Sequence, residues 1–199
     1  MTIFYRYLGN LYVNITNRCP CDCVFCIRQN GDSVGGADSL WLEKDPTLQE
    51  IIADYEKIDK TGCEEIVFCG YGEPMEQLDT LLDTCRYLRG VTDKKIRVNT
   101  NGLSDLIHGK PTAHLLEGLV DFVSISLNAG TAKEYNRVTR PVYGEPAFDA
   151  MLKFAEDCKK YVPHVMFTVV DVISPEEIAA AQAVADKMGI PLRVRAYEG

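Results

Sequence analysis

The chain has 199 residues, of which 46% are hydrophobic and 25% charged, and its formal net charge is −8. This length suits a single well-buried domain, and the excess of acidic residues argues against sequence-independent binding to a nucleic-acid backbone, which requires a basic face. No apolar run approaches the ~20 residues that span a bilayer, and the N-terminus lacks a secretory signal. We therefore expect a protein of the reducing cytoplasm, whose eight cysteines serve metal or redox chemistry rather than disulfides.

Short strand-like segments alternate with longer helix-like segments along the chain. Runs rich in Val, Ile, Phe or Tyr predict six strands, at 11–15, 65–69, 95–99, 121–127, 165–170 and 192–196. Amphipathic periodicity predicts helices at 47–60, 78–89, 112–118, 147–161 and 175–188. The last helix has the clearest start, because Ser174 is a favourable cap and Pro175 a favourable first residue.

This alternation predicts an α/β fold with a parallel sheet built from right-handed β-α-β units. Six strands are too few for a closed eight-stranded barrel, whereas an open or partial barrel and a doubly wound sheet both fit. In either architecture the active site lies at the carboxyl ends of the strands. Residues with chemical roles should therefore cluster just after the strands.

A cysteine-rich run follows the first predicted strand. Cys19, Cys23 and Cys26 have the spacing C-x3-C-x2-C, with Phe25 before the last cysteine. Three thiolates can hold three irons of a four-iron cluster and leave the fourth iron open for chemistry. The alternative is a structural zinc site, which normally has four N or S ligands in paired groups. Cys21 lies within the run and could replace Cys19 or Cys23 as a ligand.

Glycines and small polar residues follow three further strands. The segment 70–74 reads Gly-Tyr-Gly-Glu-Pro, and the segment 99–102 reads Asn-Thr-Asn-Gly. The fourth strand ends with Ser126 and Asn128, which alternate onto one face. Glycines allow close backbone approach to a ligand, and a glutamate accepts hydrogen bonds from an ammonium group. An ordinary turn before a proline-started helix is the alternative explanation for 70–74.

Taken together, these segments resemble the radical S-adenosylmethionine (radical SAM) superfamily over essentially the whole chain. The resemblance implies a six-stranded parallel partial (βα)6 barrel, in one core domain over residues 1–199, with the cofactors at the carboxyl ends of the strands. It also implies that Cys19, Cys23 and Cys26 are the catalytic ligands of a [4Fe-4S] cluster, with Cys21 a bystander.

The resemblance assigns further residues to S-adenosylmethionine (SAM). The glycine-rich segment that binds the methionyl amino group in the family is matched by Gly70, Gly72, Glu73 and Pro74, although Tyr71 departs from the family pattern. Contacts to the ribose or the methionyl carboxylate are implied for Asn99, Asn101, Ser126 and Asn128. Arg137 resembles the arginine that some members direct at this carboxylate, and Arg140 is the competing choice.

The family chemistry implies an enzyme that reductively cleaves SAM to a 5′-deoxyadenosyl radical, which abstracts a hydrogen atom from a substrate. The implied partners are an electron donor, such as a flavodoxin or ferredoxin, and an unidentified small-molecule or protein substrate. The run Tyr12–Cys19 and the segment Cys26–Arg28 that follows are most similar to the TatD-associated radical SAM proteins. A glycyl-radical activase and a non-catalytic iron–sulfur or zinc module are the alternative functions.

The sequence also contains candidate substrate contacts. The loops 29–41, 107–114 and 137–146 follow or lie near the predicted strand ends. Arg28, Arg193 and Arg195 are candidate contacts for an anion, since Arg193 and Arg195 alternate onto one face of the last strand. Surface ion pairing with the many acidic residues is the alternative role for these arginines.

Overall fold

A computed structural model describes residues 1–32 and 38–197, so the centre of the predicted loop 29–41 lies outside the described residues. The described strands are β1 (Phe4–Tyr7), β2 (Asn10–Val13), β3 (Glu65–Phe68), β4 (Lys95–Thr100), β5 (Phe122–Ser126), β6 (His164–Val170) and β7 (Leu192–Arg195). The described helices are α1 (Leu48–Lys57), α2 (Leu78–Val91), α3 (Ser104–His108), α4 (Ala132–Thr139), α5 (Pro146–Tyr161) and α6 (Pro175–Met188).

The strands form one open sheet in which spatial order follows chain order, from β1 to β7. All pairs from β2–β3 to β6–β7 are parallel. Each crossover therefore steps to the next neighbour in the same direction, which curls the sheet as in a barrel and excludes the doubly wound alternative. The prediction of an open α/β fold with a parallel sheet is confirmed.

The strand β1 is a seventh strand that the sequence analysis did not predict. It pairs antiparallel with β2 through a two-residue turn in which Leu8 has φ 46° and Gly9 has φ 77°. Positive φ at both turn positions is typical of the hairpin turn that matches strand twist. Leucine is an unfavourable residue at such a position, which explains why the hairpin carries no obvious turn signal.

The two faces of the sheet differ in polarity. The outer face packs under the helices with fully buried apolar side chains such as Ile66, Val98 and Phe167. The inner face carries polar groups: Arg97 binds Glu65 through two hydrogen bonds of 2.7 and 2.9 Å and donates to Ser124 at 3.2 Å. The alternation of side chains along each strand thus separates a hydrophobic core from a polar barrel interior.

The helix predictions differ from the structure mainly in short elements. The predicted helix 112–118 is only a short 3-10 turn, Ala113–Leu116, and α3 and α4 were not predicted. A capping box of Thr47 and Glu50 begins α1 at the predicted position, but α1 ends at Lys57 rather than at residue 60. In the described ranges, no helix has the length and apolar character needed to cross a membrane.

Candidate active site at the carboxyl ends of the strands

The cysteine-rich segment leaves β2 and is held against the end of α4 by backbone hydrogen bonds. The Asp22 amide donates to the Thr139 carbonyl at 3.1 Å, and the Val24 amide donates to the Val138 carbonyl at 2.9 Å. The Val142 amide donates back to the Pro20 carbonyl at 2.9 Å. The loop that carries the cysteines is therefore fixed to the end of α4 and the residues that follow it, as a preorganised ligand loop requires.

A cavity of about 170 Å³ opens at the carboxyl ends of the strands, beside this loop. The described residues that line it are Cys19, Cys21, Cys23, Phe25, Cys26, Ile27, Asn101, Ser126, Asn128, Tyr135, Thr139, Thr168, Val170, Arg195, Ala196 and Tyr197. The predicted Cys19, Cys23, Cys26, Asn101, Ser126 and Asn128 are thus brought together in one cavity wall. They come from the cysteine loop and from the ends of β4 and β5.

The thiols in the cavity differ in how readily they lose a proton. A hydrogen bond from Cys21 lowers the pKa of Cys19 to about 7, although burial acts in the opposite direction, and the charge of Arg28 lowers it further. The pKa of Cys21 is raised far above its usual value, first by its hydrogen bond with Cys19 and then by that with Cys23. The Cys21 thiol therefore donates toward the Cys19 sulfur, and such a donor favours the thiolate, the form in which cysteine binds iron.

Two further groups donate toward the cysteine sulfurs. The guanidinium of Arg28 lies with Nε 3.3 Å from the Cys26 Sγ and also donates to the carbonyls of Asn17 and Cys21, both at 3.4 Å. The side-chain nitrogen Nδ2 of Asn101 lies 4.0 Å from the Cys19 Sγ and 3.8 Å from the Cys21 Sγ. Donors of this kind stabilise negative charge on thiolates.

The segment 70–74 lies behind the cavity rather than in its lining. A Cβ atom on Gly70 would meet the Asn14 side chain at 2.1 Å, and one on Gly72 would meet the Thr16 carbonyl oxygen at 2.2 Å. Both glycines are therefore required by close packing against the chain that leads into the cysteine loop. Pro74 is buried at the start of a 3-10 turn, Pro74–Gln77.

The carboxyl group of Glu73 is buried and joins the ends of two strands. Its Oε1 accepts hydrogen bonds from the Met75 amide at 3.0 Å and the Thr100 hydroxyl at 2.7 Å, and its Oε2 accepts from the Asn101 amide at 2.6 Å. Burial raises the pKa of Glu73 to about 8, the charge on Cys19 adds to this, and the three donors oppose it. In this conformation Glu73 positions the backbone of Asn101, whose side chain faces the cysteines.

The structure does not bring Asn99 or Arg137 to the cavity lining. Asn99 lies on the inner face of β4, below the cavity. The Arg137 side chain is 57% exposed and pairs with Glu134 at 2.6 Å and with Glu177 at 2.9 Å, which joins α4 to α6. Arg140, the competing candidate, is a left-handed residue at the end of α4 and lies 3.8 Å from Asp22.

The cavity contains residues that the sequence analysis did not assign to it. Tyr135 and Thr139 come from α4, and Thr168 comes from β6. Tyr135 is fully buried, and burial raises its pKa well above the usual value. A candidate sequence signal for α4 is Thr131, a favourable residue to cap a helix, whose side chain accepts a hydrogen bond from the Glu134 amide.

The donor set fits an iron–sulfur cluster. Cysteine thiolates prefer iron–sulfur clusters, zinc and copper(I), and the cavity wall supplies the three predicted cysteines with cationic and amide donors beside them. In the part of the chain that the structure describes, no three His, Cys, Asp or Glu side chains converge on the position of a single metal ion. A cluster instead takes each cysteine on a different iron.

Comparison with known proteins identifies the family. The model of the radical SAM superfamily matches residues 13–184. The chain is 31% identical over 140 residues to a GTP 3′,8-cyclase of Pelotomaculum thermopropionicum, covering 69% of this chain and 39% of that protein. It is 27% identical over 194 residues to a probable GTP 3′,8-cyclase of Thermococcus kodakarensis, covering 96% of this chain and 57% of that protein. The chain therefore spans about two fifths of the length of the first relative and about three fifths of the length of the second.

Solved structures share the fold. The Streptococcus suis protein SuiB, bound to its precursor peptide SuiA, superposes with a TM-score of 0.65 at 16% identity, covering 94% of this chain and 39% of that chain. The protein anSMEcpe with bound AdoMet superposes with a TM-score of 0.64 at 17% identity, covering 94% and 50%. The fold, the cysteine spacing and the family match agree: the chain belongs to the radical SAM superfamily, whose members are enzymes that bind a [4Fe-4S] cluster and S-adenosylmethionine.

Proposed function

We propose that this chain catalyses the reductive cleavage of SAM and uses the resulting radical to abstract a hydrogen atom from a substrate. The observation that carries the proposal is the convergence, in one cavity, of Cys19, Cys23 and Cys26 with polar residues from separate strand ends. A module that used the cysteines for structure alone would have no need of these polar residues. Cluster and SAM supply the one-electron chemistry when bound.

The chain's own residues have separable roles in this proposal. The three cysteines hold the cluster as thiolates, while the Cys21 thiol and the Arg28 guanidinium stabilise their negative charge. Asn101, Ser126 and Asn128 offer hydrogen-bonding groups to SAM from the cavity wall. The apolar lining residues Phe25, Ile27 and Val170 help to exclude water from the reacting centre.

The remaining assignments for SAM act through the backbone. Gly70, Gly72 and Pro74 shape the turn behind the cavity, and Glu73 fixes the segment that carries Asn101. Asn99 is a candidate contact for a larger ligand that extends into the barrel interior. In the conformation described, Arg137 holds α4 to α6, so its approach to the SAM carboxylate would require these ion pairs to open.

Substrate and partners belong to the proposal as well. We expect residues 1–199 to form a single radical SAM core domain that receives its electron from a flavodoxin or ferredoxin. The resemblance to the TatD-associated radical SAM proteins leaves the substrate open. Relatives named as GTP 3′,8-cyclases and a structural neighbour bound to a precursor peptide represent the two classes, a small molecule and a residue of a partner protein. Activation of a glycyl-radical enzyme is one form of the second class.

Anaerobic reconstitution with iron and sulfide tests the proposal. We expect a brown protein with about four irons that releases 5′-deoxyadenosine from SAM under a strong reductant. Ser substitutions at Cys19, Cys23 or Cys26 should each abolish this release and lower the bound iron, whereas Cys85→Ala, in the core outside the cavity, is the matched control that should retain both. Bound zinc without sulfide, or an intact cluster that does not cleave SAM, would contradict the proposal.

A further inference from the structure

The arginines of this acidic chain are nearly all paired with carboxylates. Of the ten arginines in the sequence, seven form ion pairs, namely Arg6, Arg18, Arg86, Arg89, Arg97, Arg137 and Arg140. Within residues 1–32 and 38–197, no ion pair involves Arg28, Arg193 or Arg195. The charge of Arg28 is directed at the Cys26 sulfur. Among the described residues, Arg193 and Arg195 on β7 are therefore the two arginines that have neither an ion pair nor a sulfur partner.

Arg195 lies where such a charge can act on a ligand. It is the only cationic residue among the described residues that line the cavity. Its charge also reaches Tyr12 on the inner face of β2: burial raises the pKa of Tyr12 to about 12, and Arg195 opposes that rise. Arg195 lies opposite Val170 of β6, which also lines the cavity, and it is exposed to solvent.

The end of β7 holds Arg195 in this place. The Asp171 amide donates to the Arg195 carbonyl at 3.0 Å, and the Tyr197 amide donates to the Asp171 carboxylate at 2.7 Å. The Tyr197 hydroxyl meets the Asn30 side chain at 3.0 Å, which ties the segment after β7 to the chain that follows the cysteines. A fixed backbone lowers the entropy that a long side chain loses when it binds a ligand.

We propose that Arg195 is an oxyanion-binding subsite for the substrate, which accordingly carries a carboxylate or phosphate group. This inference rests on the proposed function, because it places the substrate in the same cavity as the cluster. A guanidinium with no carboxylate partner binds either oxyanion through paired hydrogen bonds. The cysteines line the same cavity, so a substrate anchored at Arg195 would extend toward them.

Calorimetric titration of the anaerobic, cluster-loaded protein tests the subsite. The probes are inorganic pyrophosphate and citrate, which separate phosphate from carboxylate preference, and SAM in a parallel titration. We expect Arg195→Gln to weaken binding of the preferred oxyanion at least about tenfold, the loss of a charge-assisted hydrogen bond. Arg193→Gln removes the same charge from the same strand outside the cavity lining and should change this affinity less than about twofold.

Two results would overturn the inference. Equal oxyanion affinity in the unmodified protein and Arg195→Gln would show that the cavity has no such subsite. A loss confined to SAM would instead assign Arg195 to the methionyl carboxylate. Release of 5′-deoxyadenosine by the unmodified protein without substrate tests the proposed function separately, so the two failures can be distinguished.

A different observation supports a second inference, on the α4 side of the cavity. Tyr135 is 0% exposed and lines the cavity, yet its hydroxyl has no hydrogen-bond partner among the described residues. The nearby Thr139 hydroxyl donates to the Tyr135 backbone carbonyl at 2.7 Å. An unpartnered buried hydroxyl is destabilising, so a partner inside the cavity explains why this oxygen is present.

We infer that the Tyr135 hydroxyl donates a hydrogen bond to a sulfur of the cluster. Its ring is fixed by Phe148, at 5.6 Å between ring centroids, so the hydroxyl is held in place. A donor to cluster sulfur stabilises the reduced state, which carries one more negative charge, and so raises the reduction potential. Tyr135 is thus a positioning residue that makes the cluster easier to reduce.

A redox titration followed by electron paramagnetic resonance tests this role. At the potential that half-reduces the unmodified protein, Tyr135→Phe should lower the ratio of reduced to oxidised cluster about three- to tenfold, the loss of one hydrogen bond. Tyr161→Phe, a half-buried tyrosine outside the cavity, should leave the ratio unchanged. The cluster-free Tyr135→Phe protein should be at least as stable as the unmodified one, because it lacks the unpartnered hydroxyl.

Unchanged reduction of the Tyr135→Phe cluster would overturn this second inference. Weaker SAM binding with an unchanged midpoint would also overturn it, because the hydroxyl would then face SAM. A cluster-free Tyr135→Phe protein that is less stable than the unmodified protein would assign the hydroxyl a purely structural role.

Discussion

The buried carboxyl group of Glu73 makes a sharp prediction about stability and pH. Its pKa is raised by burial, and by the charge on Cys19, from 4.5 to about 8 in the folded protein. The folded chain therefore binds more protons than the unfolded chain between these two values. The contribution of this protonated carboxyl group to the free energy of unfolding is fully present below about pH 4.5 and is lost as pH rises toward about 8.

The magnitude follows from the size of the shift. Each pH unit between the two pKa values changes the free energy of unfolding by about 1.4 kcal/mol. From about pH 5 to about pH 8 the cluster-free protein should lose about 3–4 kcal/mol relative to Glu73→Gln. This variant keeps the volume of the side chain and removes the titration.

A second effect of Glu73→Gln can be separated from the first. The glutamine oxygen can still accept from the Met75 amide and the Thr100 hydroxyl, but its NH₂ group would face the Asn101 amide, which loses its acceptor. An unsatisfied buried amide costs about 1–3 kcal/mol at every pH. It therefore displaces the stability profile of the variant without changing its slope.

Urea unfolding of both cluster-free proteins, in a reducing buffer across this pH range, is the measurement. We expect the profiles to approach one another or cross as pH rises. Parallel profiles would refute the reasoning, because they would mean that the hydrogen-bond donors around Glu73 outweigh its burial and keep it ionised.

Two further predictions concern the loop behind the cavity and the first helix. Gly72→Ala places a Cβ atom 2.2 Å from the Thr16 carbonyl oxygen, whereas a Cβ on Gly90 meets nothing within 4 Å; iron content and thermal unfolding should both fall for Gly72→Ala, while Gly90→Ala should be neutral or slightly stabilising. Equal behaviour of the two variants would contradict the packing argument. Hydrogen bonds from Lys44, then Thr47, lower the pKa of Glu50 to about 2, so its contribution is present above about pH 4.5 and lost as pH falls toward 2. The melting temperature of Glu50→Gln should therefore lie below that of the unmodified protein near neutral pH and meet it near pH 2, and a gap that persists there would refute this origin.

Local patterns predicted the parallel strands because some are short apolar runs, such as β3, and others alternate apolar and polar residues, such as β4. The same reasoning missed β1, whose hairpin uses Leu8 with positive φ, a position that ordinary turn preferences do not assign to leucine. It also missed α4, which has only eight residues and buries only Tyr135, Val138 and Thr139. Short elements are stabilised by tertiary packing, which leaves little trace in the local sequence.

The candidate site was predictable for those residues whose position depends only on the direction of the parallel strands. Cys19, Asn101, Ser126 and Asn128 meet in the cavity because the carboxyl ends of neighbouring parallel strands lie at one edge of the sheet. Side-chain direction was not predictable in this way. Arg137 also follows β5, as Asn128 does, but its position on α4 directs its side chain toward Glu177 rather than into the cavity.

By itself, the sequence determined that this chain is a radical SAM protein, because the spacing of the cysteines and the residues that follow each strand are visible in the order of residues along the chain. Only the tertiary structure decided which groups face the cysteines. Among the described residues, it turned Tyr135 inward with no hydrogen-bond partner for its hydroxyl and left Arg195 without a carboxylate partner, and it placed Glu73 behind the cavity wall as a link between strands. The physical reason is that burial, charge compensation and hydrogen bonding are relations between distant residues, and they exist only once the chain has folded.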